Sequence, residues 1–476
     1  MIVIFGGNGD LSRRKLLPAL FHLHCEGLMP ESYRIIGNSR SEMSDETFRA
    51  FARKSIEEFG RKKPDEHFTP FAECLSYVSH DFQPGDTEPL AEAVVKAERD
   101  LGDNARRLFY LAVPPTAFPV ITEALGESGL NERGLVVYEK PFGTDLESFC
   151  ELNDLVHSVL DEKQVYRIDH FLGKEAVQNI LALRFANGMF EPIWNRNYID
   201  HVQIDVPEDI DIGTRAGFYE RTGALRDMIV THLFQVLAFV AMEPPSSLEP
   251  DPLMDERDKV FDVMRKLDTD DAVRGQYEGY RDAQGVDPRS ETETFAAVRV
   301  QVENWRWNGV PFFLRTGKAL AEKRSAVTLA FKAPPMRMFP EFNDPRRFDP
   351  NHVTLELGPN DGVVLAFLAK KPGPSIELGR AHMAFRYASA FGELIEAYER
   401  LIHDAMIGDR TLFSRGDGVE RAWELIQGVL ERPGLLHHYE KGSWGPPAAD
   451  DLIAPRRWHF PIEQSHSVEP VARREP

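Results

Sequence analysis

The sequence predicts two domains, a doubly wound α/β domain followed by an α+β domain built on a large, mainly antiparallel sheet. The length of 476 residues exceeds what one hydrophobic core usually organises. Apolar strands alternate with helical stretches over residues 1–165, which is typical of a parallel sheet. Beyond Tyr166, apolar and polar residues alternate as in half-buried antiparallel strands. We therefore expect domains at 1–165 and 166–476, with a Pro-rich surface tail from about Trp444.

The first domain is expected to start with a buried central strand. Residues 2–5 are apolar on both faces, and a glycine-containing turn leads from them into apolar residues at helical spacing over 16–28. A second strand at residues 33–37 completes a βαβ unit, and strands at 107–111 and 134–138 extend the sheet. This order indicates a Rossmann-type domain, which binds ligands over the carboxyl ends of its strands.

The second domain is expected to combine alternating strands with long helices. Alternation over residues 202–206 and 296–302, and on both sides of a turn at 358–362, predicts antiparallel strands and a hairpin. One long helix carries its apolar stripe over 225–240, and another over 391–402. A sheet that covers only one face with its own helices often buries the other between subunits. We therefore expect a homodimer or homotetramer formed through this sheet.

The composition argues against several kinds of partner. The 76 acidic residues outnumber the 56 Lys and Arg residues, and a net charge of −20 repels nucleic acid. The three cysteines, Cys25, Cys74 and Cys150, have no paired spacing, which argues against a disulfide framework or a zinc site and fits a reducing compartment. No apolar run approaches bilayer length, and the first strand leaves no room for a signal peptide. We expect a cytoplasmic protein with neither membrane nor nucleic acid as a partner.

The first chemical motif is a glycine-rich turn between the first strand and a helix. It comprises Gly6, Gly7, Asn8, Gly9, Asp10 and Leu11. Such a turn lets backbone N–H groups approach a pyrophosphate at a helix N-terminus, although glycines also form ordinary tight turns. The second strand leads into Ser39 and Arg40 instead of the acidic residue usual in NAD-binding proteins. A hydroxyl and a guanidinium suit the 2′-phosphate of NADP, and the alternative is that Arg40 lies in an exposed loop.

Three further candidates lie late in the first domain and in the second. Lys140, in a Glu-Lys-Pro motif after a late strand, can reach both nicotinamide ribose and substrate. His170 and Lys174 lie four residues apart and, on one helical face, would bind a phosphate dianion. The alternative is a surface salt-bridge cluster with Glu175. His232 lies on an apolar helical stripe, where a histidine is more often a satisfied core residue than a catalyst.

These segments resemble the glucose-6-phosphate dehydrogenase family from residue 1 to about 450. The most specific match is residues 166–195, and the others are residues 139–143, 225–233, 309–318 and 408–413. The resemblance implies oxidation of D-glucose 6-phosphate at C1 to 6-phospho-D-glucono-1,5-lactone, with hydride transfer to NADP⁺. This reaction is the first step of the oxidative pentose phosphate pathway. The resemblance implies no metal.

The resemblance also implies a role for each matching residue. His232 matches the general base, and Asp169 matches the carboxylate that orients it. Arg40 matches the arginine at the 2′-phosphate, and the glycine-rich turn matches the pyrophosphate site. The substrate-side residues are His170 and Lys174 at the phosphate, Glu208 and Asp227 at sugar hydroxyls, Lys140 at both ligands, and Lys318 and Lys323 as further cations.

The chain departs from the family pattern at three places. Gly7 and Asn8 replace the usual Ala-Ser of the turn, and Thr231 replaces a common asparagine before the base, which could alter sugar preference. Phe171 replaces a common tyrosine, and one lost hydrogen bond of about 1 kcal/mol predicts several-fold weaker phosphate binding.

Two alternative functions remain. One is a Glu-Lys-Pro sugar oxidoreductase acting on an unphosphorylated sugar, and the other is a catalytically silent, cofactor-binding subunit.

Overall fold

The computed structural model describes residues 1–102, 105–213, 215–336, 338–339 and 350–459, which form two sheets with helices packed against them. The first sheet has six strands, all parallel, in the order β3-β2-β1-β4-β5-β6. The strands are β1 Ile2–Phe5, β2 Ile35–Ser39, β3 Leu75–Ser79, β4 Arg107–Leu111, β5 Gly134–Tyr138 and β6 Val165–Arg167. The predicted doubly wound α/β fold is confirmed.

Helices connect the strands of this sheet. They are α1 Leu17–Cys25, α2 Asp45–Phe59, α3 Phe68–Glu73, α4 Glu88–Leu101, α5 Phe118–Glu127 and α6 Leu146–Val159. A short π-helical segment, Ser12–Leu16, precedes α1, so a helical path leads from the glycine-rich turn to Cys25. Side chains of β1, such as Val3, and of α1, such as Phe21, are fully buried in the core between sheet and helices.

The second strand differs from its predicted position by two residues. It spans Ile35–Ser39 instead of 33–37, because the pairing with β1 starts at Ile2 and Ile35 and the pairing with β3 continues to Ser39 and Ser79. The side chain of Asn38 donates to the carbonyls of Val78 and His80, which extends the ladder into polar sequence. The expected domain boundary at 165/166 falls inside β6.

The second sheet has nine strands in the order β14-β13-β12-β11-β7-β10-β9-β8-β15. Only the β7–β10 and β8–β15 pairs are parallel, so the predicted mainly antiparallel sheet is confirmed. The strands are β7 Ile199–Pro207, β8 Ala272–Tyr277, β9 Phe295–Gln301, β10 Pro311–Gly317, β11 Ser325–Phe331, β12 His352–Gly358, β13 Gly362–Lys370, β14 Leu378–Arg386 and β15 Leu436–Tyr439.

The helices of the second domain include one apolar stretch of unusual length. They are α7 Glu175–Phe185, α8 Ala216–Ala224, α9 Phe234–Ala241, α10 Pro250–Asp262, α11 Tyr387–Phe391, α12 Ala397–Ile407, α13 Gly416–Glu431 and α14 Ala448–Ile453, with a π-helical segment, Leu225–Leu233, between α8 and α9. Contrary to the expectation from sequence, one stretch, Ala216–Ala241, could cross a membrane by length and composition. However, 89% of its most apolar window is buried inside the fold, as in a core helix.

Two expectations for the second domain were wrong. The helix expected over 391–402 is two helices, because Gly392 at φ 83° ends α11 and the Glu396–Glu399 capping box starts α12. The stretch from Trp444 to His459, expected to be a surface tail, instead packs on the second sheet. It contains α14, and Trp458 is buried against Phe313. The remainder of the expected tail lies outside the described residues.

Candidate active site

Three candidate residues from distant parts of the sequence meet beyond the carboxyl edge of the parallel sheet. Lys140 follows β5, and Asp169 follows β6, which is the neighbour of β5 in the sheet. His232 enters from the π-helical segment of the second domain. Ligands of doubly wound sheets bind at this edge, so the position is that of an active site.

His232 has a partner on each ring nitrogen. Nδ1 lies 2.5 Å from Oδ1 of Asp169, and Nε2 lies 2.7 Å from Nζ of Lys140. A lysine ammonium has only donors, so Nε2 accepts and Nδ1–H donates to Asp169. The ring is thus held in the tautomer whose Nε2 lone pair faces Lys140. The interpretation of His232 as an ordinary core residue does not account for this arrangement.

Burial sets the protonation of this pair. His232 is fully buried, and the desolvation of its charged form, reinforced by the Lys140 cation, holds its pKa well below the usual range. Burial raises the pKa of Asp169 to about 6, against the stabilising effect of nearby cations and of the backbone N–H of Phe171. Near neutral pH the imidazole is therefore neutral and the carboxylate ionised, as a general base and its orienting group require.

The ring of His232 is fixed by stacking as well as by hydrogen bonds. Phe171 stacks on it with ring centroids 4.6 Å apart and an interplanar angle of 26°. His170 meets the same imidazole edge-on at 4.6 Å. Phe171 thus supports the imidazole, and Nζ of Lys174 lies 3.8 Å from the centroid of the same phenyl ring.

His170 and Lys174 lie beside this imidazole, and Lys323 lies close enough to Lys174 to affect the pKa of that lysine. The segment that carries the first two is not helical as expected: tight turns run from Asp169 to Lys174, and α7 begins only at Glu175. Burial lowers the pKa of both His170 and Lys174; His232 and Lys140 lower that of His170 further, whereas Asp361 and Asp169 partly oppose the shift of Lys174. Among the described residues, no ion pair joins either one to Glu175. The cluster therefore suits a buried anion better than a surface salt bridge.

Two carboxylates and a further lysine complete the group of candidate substrate-binding residues. Asp227 accepts from Nζ of Lys140 at 3.0 Å and is largely buried, and its pKa is lowered although burial opposes that shift, because the Lys140 cation favours its charged form. Glu208, just after β7, pairs with Lys318, just after β10. These groups provide acceptors beside the base, as recognition of a polyol needs.

The glycine-rich turn fits a dinucleotide on steric grounds. A Cβ on Gly6, whose φ is 76°, would lie 2.3 Å from the carbonyl oxygen of Ala112, and one on Gly7 would lie 2.7 Å from Cα of Gly37. Side chains are therefore excluded at Gly6 and Gly7, and the backbone stays bare at these two positions between β1 and the helical segment that starts at Asp10. The other turn residues, Asn8, Gly9 and Leu11, complete the same loop. A pyrophosphate can approach such a backbone closely.

The candidate 2′-phosphate residues lie at the end of β2. Ser39 is partly buried, and its hydroxyl lies 2.5 Å from the hydroxyl of Tyr77 on β3 and accepts from the backbone N–H of Ser41. Arg40 is exposed at the next position. These contacts fix the Ser39 side chain at the rim of the dinucleotide turn, with the guanidinium of Arg40 free to approach a phosphate.

The sequence did not single out two carboxylates near the site. Glu139 is buried behind Lys140 and accepts from the Tyr110 hydroxyl at 2.5 Å, and burial raises its pKa. Asp361 lies close enough to Lys174 to favour the charged form of that lysine. Glu139 belongs to the Glu-Lys-Pro motif, which was a usable signal. Asp361 belongs to a hairpin turn whose pattern indicated only a turn.

Comparison with known proteins now assigns the family. A family model described as "Glucose-6-phosphate dehydrogenase, NAD binding domain" matches residues 3–179, and one described as "Glucose-6-phosphate dehydrogenase, C-terminal domain" matches residues 181–461. The chain belongs to the glucose-6-phosphate dehydrogenase family. As the first description states for that domain, a nicotinamide dinucleotide is the cofactor of this family's N-terminal domain.

Similar proteins of the glucose-6-phosphate dehydrogenase family match nearly the whole chain. Glucose-6-phosphate 1-dehydrogenase from Aggregatibacter actinomycetemcomitans is 42% identical, covering 97% of each chain. The crystal structure of glucose-6-phosphate 1-dehydrogenase from Mycobacterium avium superposes with a TM-score of 0.87 at 39% identity, covering 97% of this chain and 98% of the other. A glucose-6-phosphate dehydrogenase in complex with glucose-6-phosphate superposes with a TM-score of 0.88 at 34% identity, with the same coverage.

Proposed function

We propose that this chain is an NADP-dependent glucose-6-phosphate 1-dehydrogenase. It oxidises D-glucose 6-phosphate at C1 to 6-phospho-D-glucono-1,5-lactone and transfers the hydride to NADP⁺. The observation that carries the proposal is the contact of His232 with both Asp169 and Lys140 at the carboxyl edge of the parallel sheet. Family membership supports the substrate, because similar proteins over the full length carry this name.

His232 acts as the general base. Its Nε2 takes the proton of the C1 hydroxyl, while the C1 hydrogen leaves as hydride and the C1–O bond becomes a carbonyl. The oxidised nicotinamide, when bound, supplies the hydride acceptor. Asp169 holds Nδ1–H and stabilises the imidazolium that forms, as in the hydrolase triad.

Lys140 occupies the position from which the substrate hydroxyl must donate to Nε2. Its side chain is 24% exposed, so it has room to withdraw when the sugar arrives. Its ammonium then remains near Asp227 and can contact both sugar and nicotinamide ribose. Lys140 therefore keeps the imidazole neutral before substrate binds. When the sugar binds, its C1 hydroxyl replaces the Lys140 ammonium as the hydrogen-bond donor to Nε2 of His232.

The phosphate is proposed to bind His170 and Lys174, with Lys323 as a further cation. Burial costs these groups free energy in their charged forms, which is why the pKa of each of the first two is lowered. A phosphate dianion restores favourable charge pairing in the same place, so binding should raise both pKa values. Glu208, Asp227 and Lys318 are proposed to contact the sugar hydroxyls.

An absorbance assay at the reduced-nicotinamide band tests this function. Glucose 6-phosphate and glucose are compared with NADP⁺ and NAD⁺, on the parent chain and on Lys174→Ala. We expect turnover of the phosphorylated sugar, and a loss of kcat/KM of tenfold or more for Lys174→Ala, since a charge-assisted contact contributes about 1.5–3 kcal/mol. Full kcat/KM of that variant on the best substrate of the parent chain would favour the unphosphorylated-sugar alternative. Cofactor binding without any turnover would favour the silent subunit.

The cofactor preference is proposed to rest on Ser39 and Arg40. A guanidinium pairs with a 2′-phosphate that NAD lacks. Arg40→Ala should therefore weaken the binding of NADP⁺ and leave the binding of NAD⁺ nearly unchanged. Arg289, whose side chain is 92% exposed, offers a matched control in Arg289→Ala. Equal losses for both cofactors in Arg40→Ala would contradict this role.

We also propose that the chain self-associates through the β14 end of the nine-stranded sheet. β14 is an edge strand of nine residues that leaves Met383 59% exposed, and Phe391, which follows it in α11, is 75% exposed. The Phe391 ring contacts Phe385 of β14, so the two exposed side chains belong to one apolar region. Such regions on an open edge mark association sites.

A further inference from the structure

Cys25, Asp65 and His67 converge on the outer side of the first domain, away from the catalytic residues. Cys25 is the last residue of α1, while Asp65 and His67 lie in the turn that precedes α3. One ligand atom from each lies within 4.8 Å of the other two. The spacing of the cysteines in the sequence argued against a zinc site. That argument missed this group, because the fold brings Asp65 and His67 to Cys25 from a separate segment of the chain.

The donor set is the kind that divalent transition metals bind. Thiolate sulfur, imidazole nitrogen and carboxylate oxygen are the ligands of Zn²⁺, at about 2.0–2.3 Å from the ion. Tetrahedral ligands at those bond lengths lie roughly 3.5 Å apart. Asp65 and His67 are exposed and Cys25 is half-buried, so small side-chain rotations close the difference.

The surrounding contacts hold the two segments together. His24, next to Cys25 on α1, contacts the ring of Phe71 on α3 with centroids 5.7 Å apart, and its Nδ1 bonds to the Tyr33 hydroxyl at 2.9 Å. The Nδ1 of His67 bonds to Oδ1 of Asp65 at 2.9 Å, and the same oxygen accepts from the backbone N–H of His67. These bonds keep the imidazole and the carboxylate beside each other, while their exposure leaves room for both to rotate toward an ion.

One lysine and two carboxylates, Lys62, Glu26 and Asp65, lie near the Cys25 thiol. Lys62 donates to Glu26 at 2.6 Å, and both lie close enough to Cys25 to affect the ionisation of its thiol. Burial raises the pKa of the Cys25 thiol, and the Lys62 cation partly opposes that shift.

We propose that Cys25, Asp65 and His67 bind one divalent transition-metal ion, preferentially Zn²⁺, with water completing a four-coordinate site. The ion ties the end of α1 to the segment between α2 and α3. Because a helical path leads from the dinucleotide turn into α1, the ion stabilises the cofactor-binding half of the molecule. The site is open and built from three protein ligands, so binding is reversible.

Cobalt substitution tests the site in the full-length, reduced protein. Co²⁺ bound by a thiolate shows a near-ultraviolet charge-transfer band, and we expect one equivalent per chain, displaced by Zn²⁺. Cys25→Ser should abolish the band, and His67→Ala should weaken Co²⁺ binding at least tenfold. Zn²⁺ should raise the melting temperature of the parent and leave that of Cys25→Ser unchanged. Neither variant should change kcat in metal-free buffer.

Two controls separate this site from others. Cys74→Ser should keep the cobalt band, because its thiol is not one of the three donors. Asp169, His170 and His232 also place ligand atoms within 4.8 Å of one another, but they have no sulfur and cannot give the thiolate band. A band that persists in Cys25→Ser, or the absence of any thiolate band in the folded parent, would overturn the proposal.

Discussion

At the scale of single residues, the reaction depends on the lone pair of one nitrogen. Replacing His232 by Asn removes the only proposed proton acceptor, and general bases contribute about 10²–10⁴ in rate. We expect His232→Asn to lower kcat by that factor with little change in KM, because the base acts in the transition state. Steady-state kinetics check this, with His438→Asn, exposed on β15, as the matched histidine control. A large KM change at normal kcat would contradict the role.

The protonation of Asp169 predicts the pH dependence. Burial raises the pKa of this carboxyl to about 6, and only its ionised form accepts Nδ1–H and stabilises the imidazolium. The pKa of His232 is well below its usual range, so the imidazole itself stays neutral over the same interval. We therefore expect kcat to fall as the pH is lowered through about 6. The measurement is kcat between acid and neutral pH, with circular dichroism to show that the fold persists. An activity that stays flat into acid would exclude Asp169 as the orienting group.

At the scale of elements, the dinucleotide turn depends on backbone clearance. A methyl group on Gly7 would lie 2.7 Å from Cα of Gly37, so the β1 turn and β2 must move apart in Gly7→Ala. We expect cofactor affinity to fall at least tenfold and the melting temperature to fall by several degrees. Overpacking costs about 1–3 kcal/mol. Gly188→Ala, where the added Cβ meets no atom within 4 Å, is the control and should change neither. Cofactor titration and thermal melting decide between these results.

Elements were predictable from sequence where their pattern was strong and local. The apolar run of β1 and the alternation around the β12–β13 hairpin predicted these strands correctly. The order of apolar and polar residues along each strand reflects which of its faces are buried. β3 escaped prediction because its sequence, Leu75–Ser79, buries only alternate residues of a short segment. The break at Gly392 escaped because the apolar spacing continues across it while one backbone angle does not.

The candidate site was likewise predictable only in part from the sequence. His232 gave no local signal of function, because an apolar stripe carries no information about which carboxylate reaches the ring. Resemblance supplied its pairing with Asp169, and the 2.5 Å contact agrees with that expectation. Asp361 and the Cys25–His67 convergence depend on tertiary placement. No spacing rule applied to the sequence would have located them.

At the scale of the whole molecule, an acidic chain must attract an anionic substrate and cofactor. The net charge of −20 repels phosphates at long range, so binding depends on cations concentrated at the site. Lys140, His170, Lys174 and Lys323 are gathered within one region, and burial strengthens their local field. The same net negative charge repels the phosphorylated product once it has left the site.

Assembly gives the last test at this scale. If subunits associate through the β14 end of the sheet, Met383 and Phe391 become buried there, and each contributes about 1.5–3 kcal/mol. The double variant Met383→Glu/Phe391→Glu should therefore weaken association by more than a hundredfold. Sedimentation velocity over a range of concentrations measures this. Trp305, 93% exposed outside the sheet, supplies the control Trp305→Glu, which should sediment like the parent. A monomeric parent, or a double variant that sediments like the parent, would show that the exposed β14 surface is not the interface.

Loss of association with unchanged kcat per subunit would show that each chain carries a complete site, as expected when Lys140, Asp169 and His232 all come from one chain.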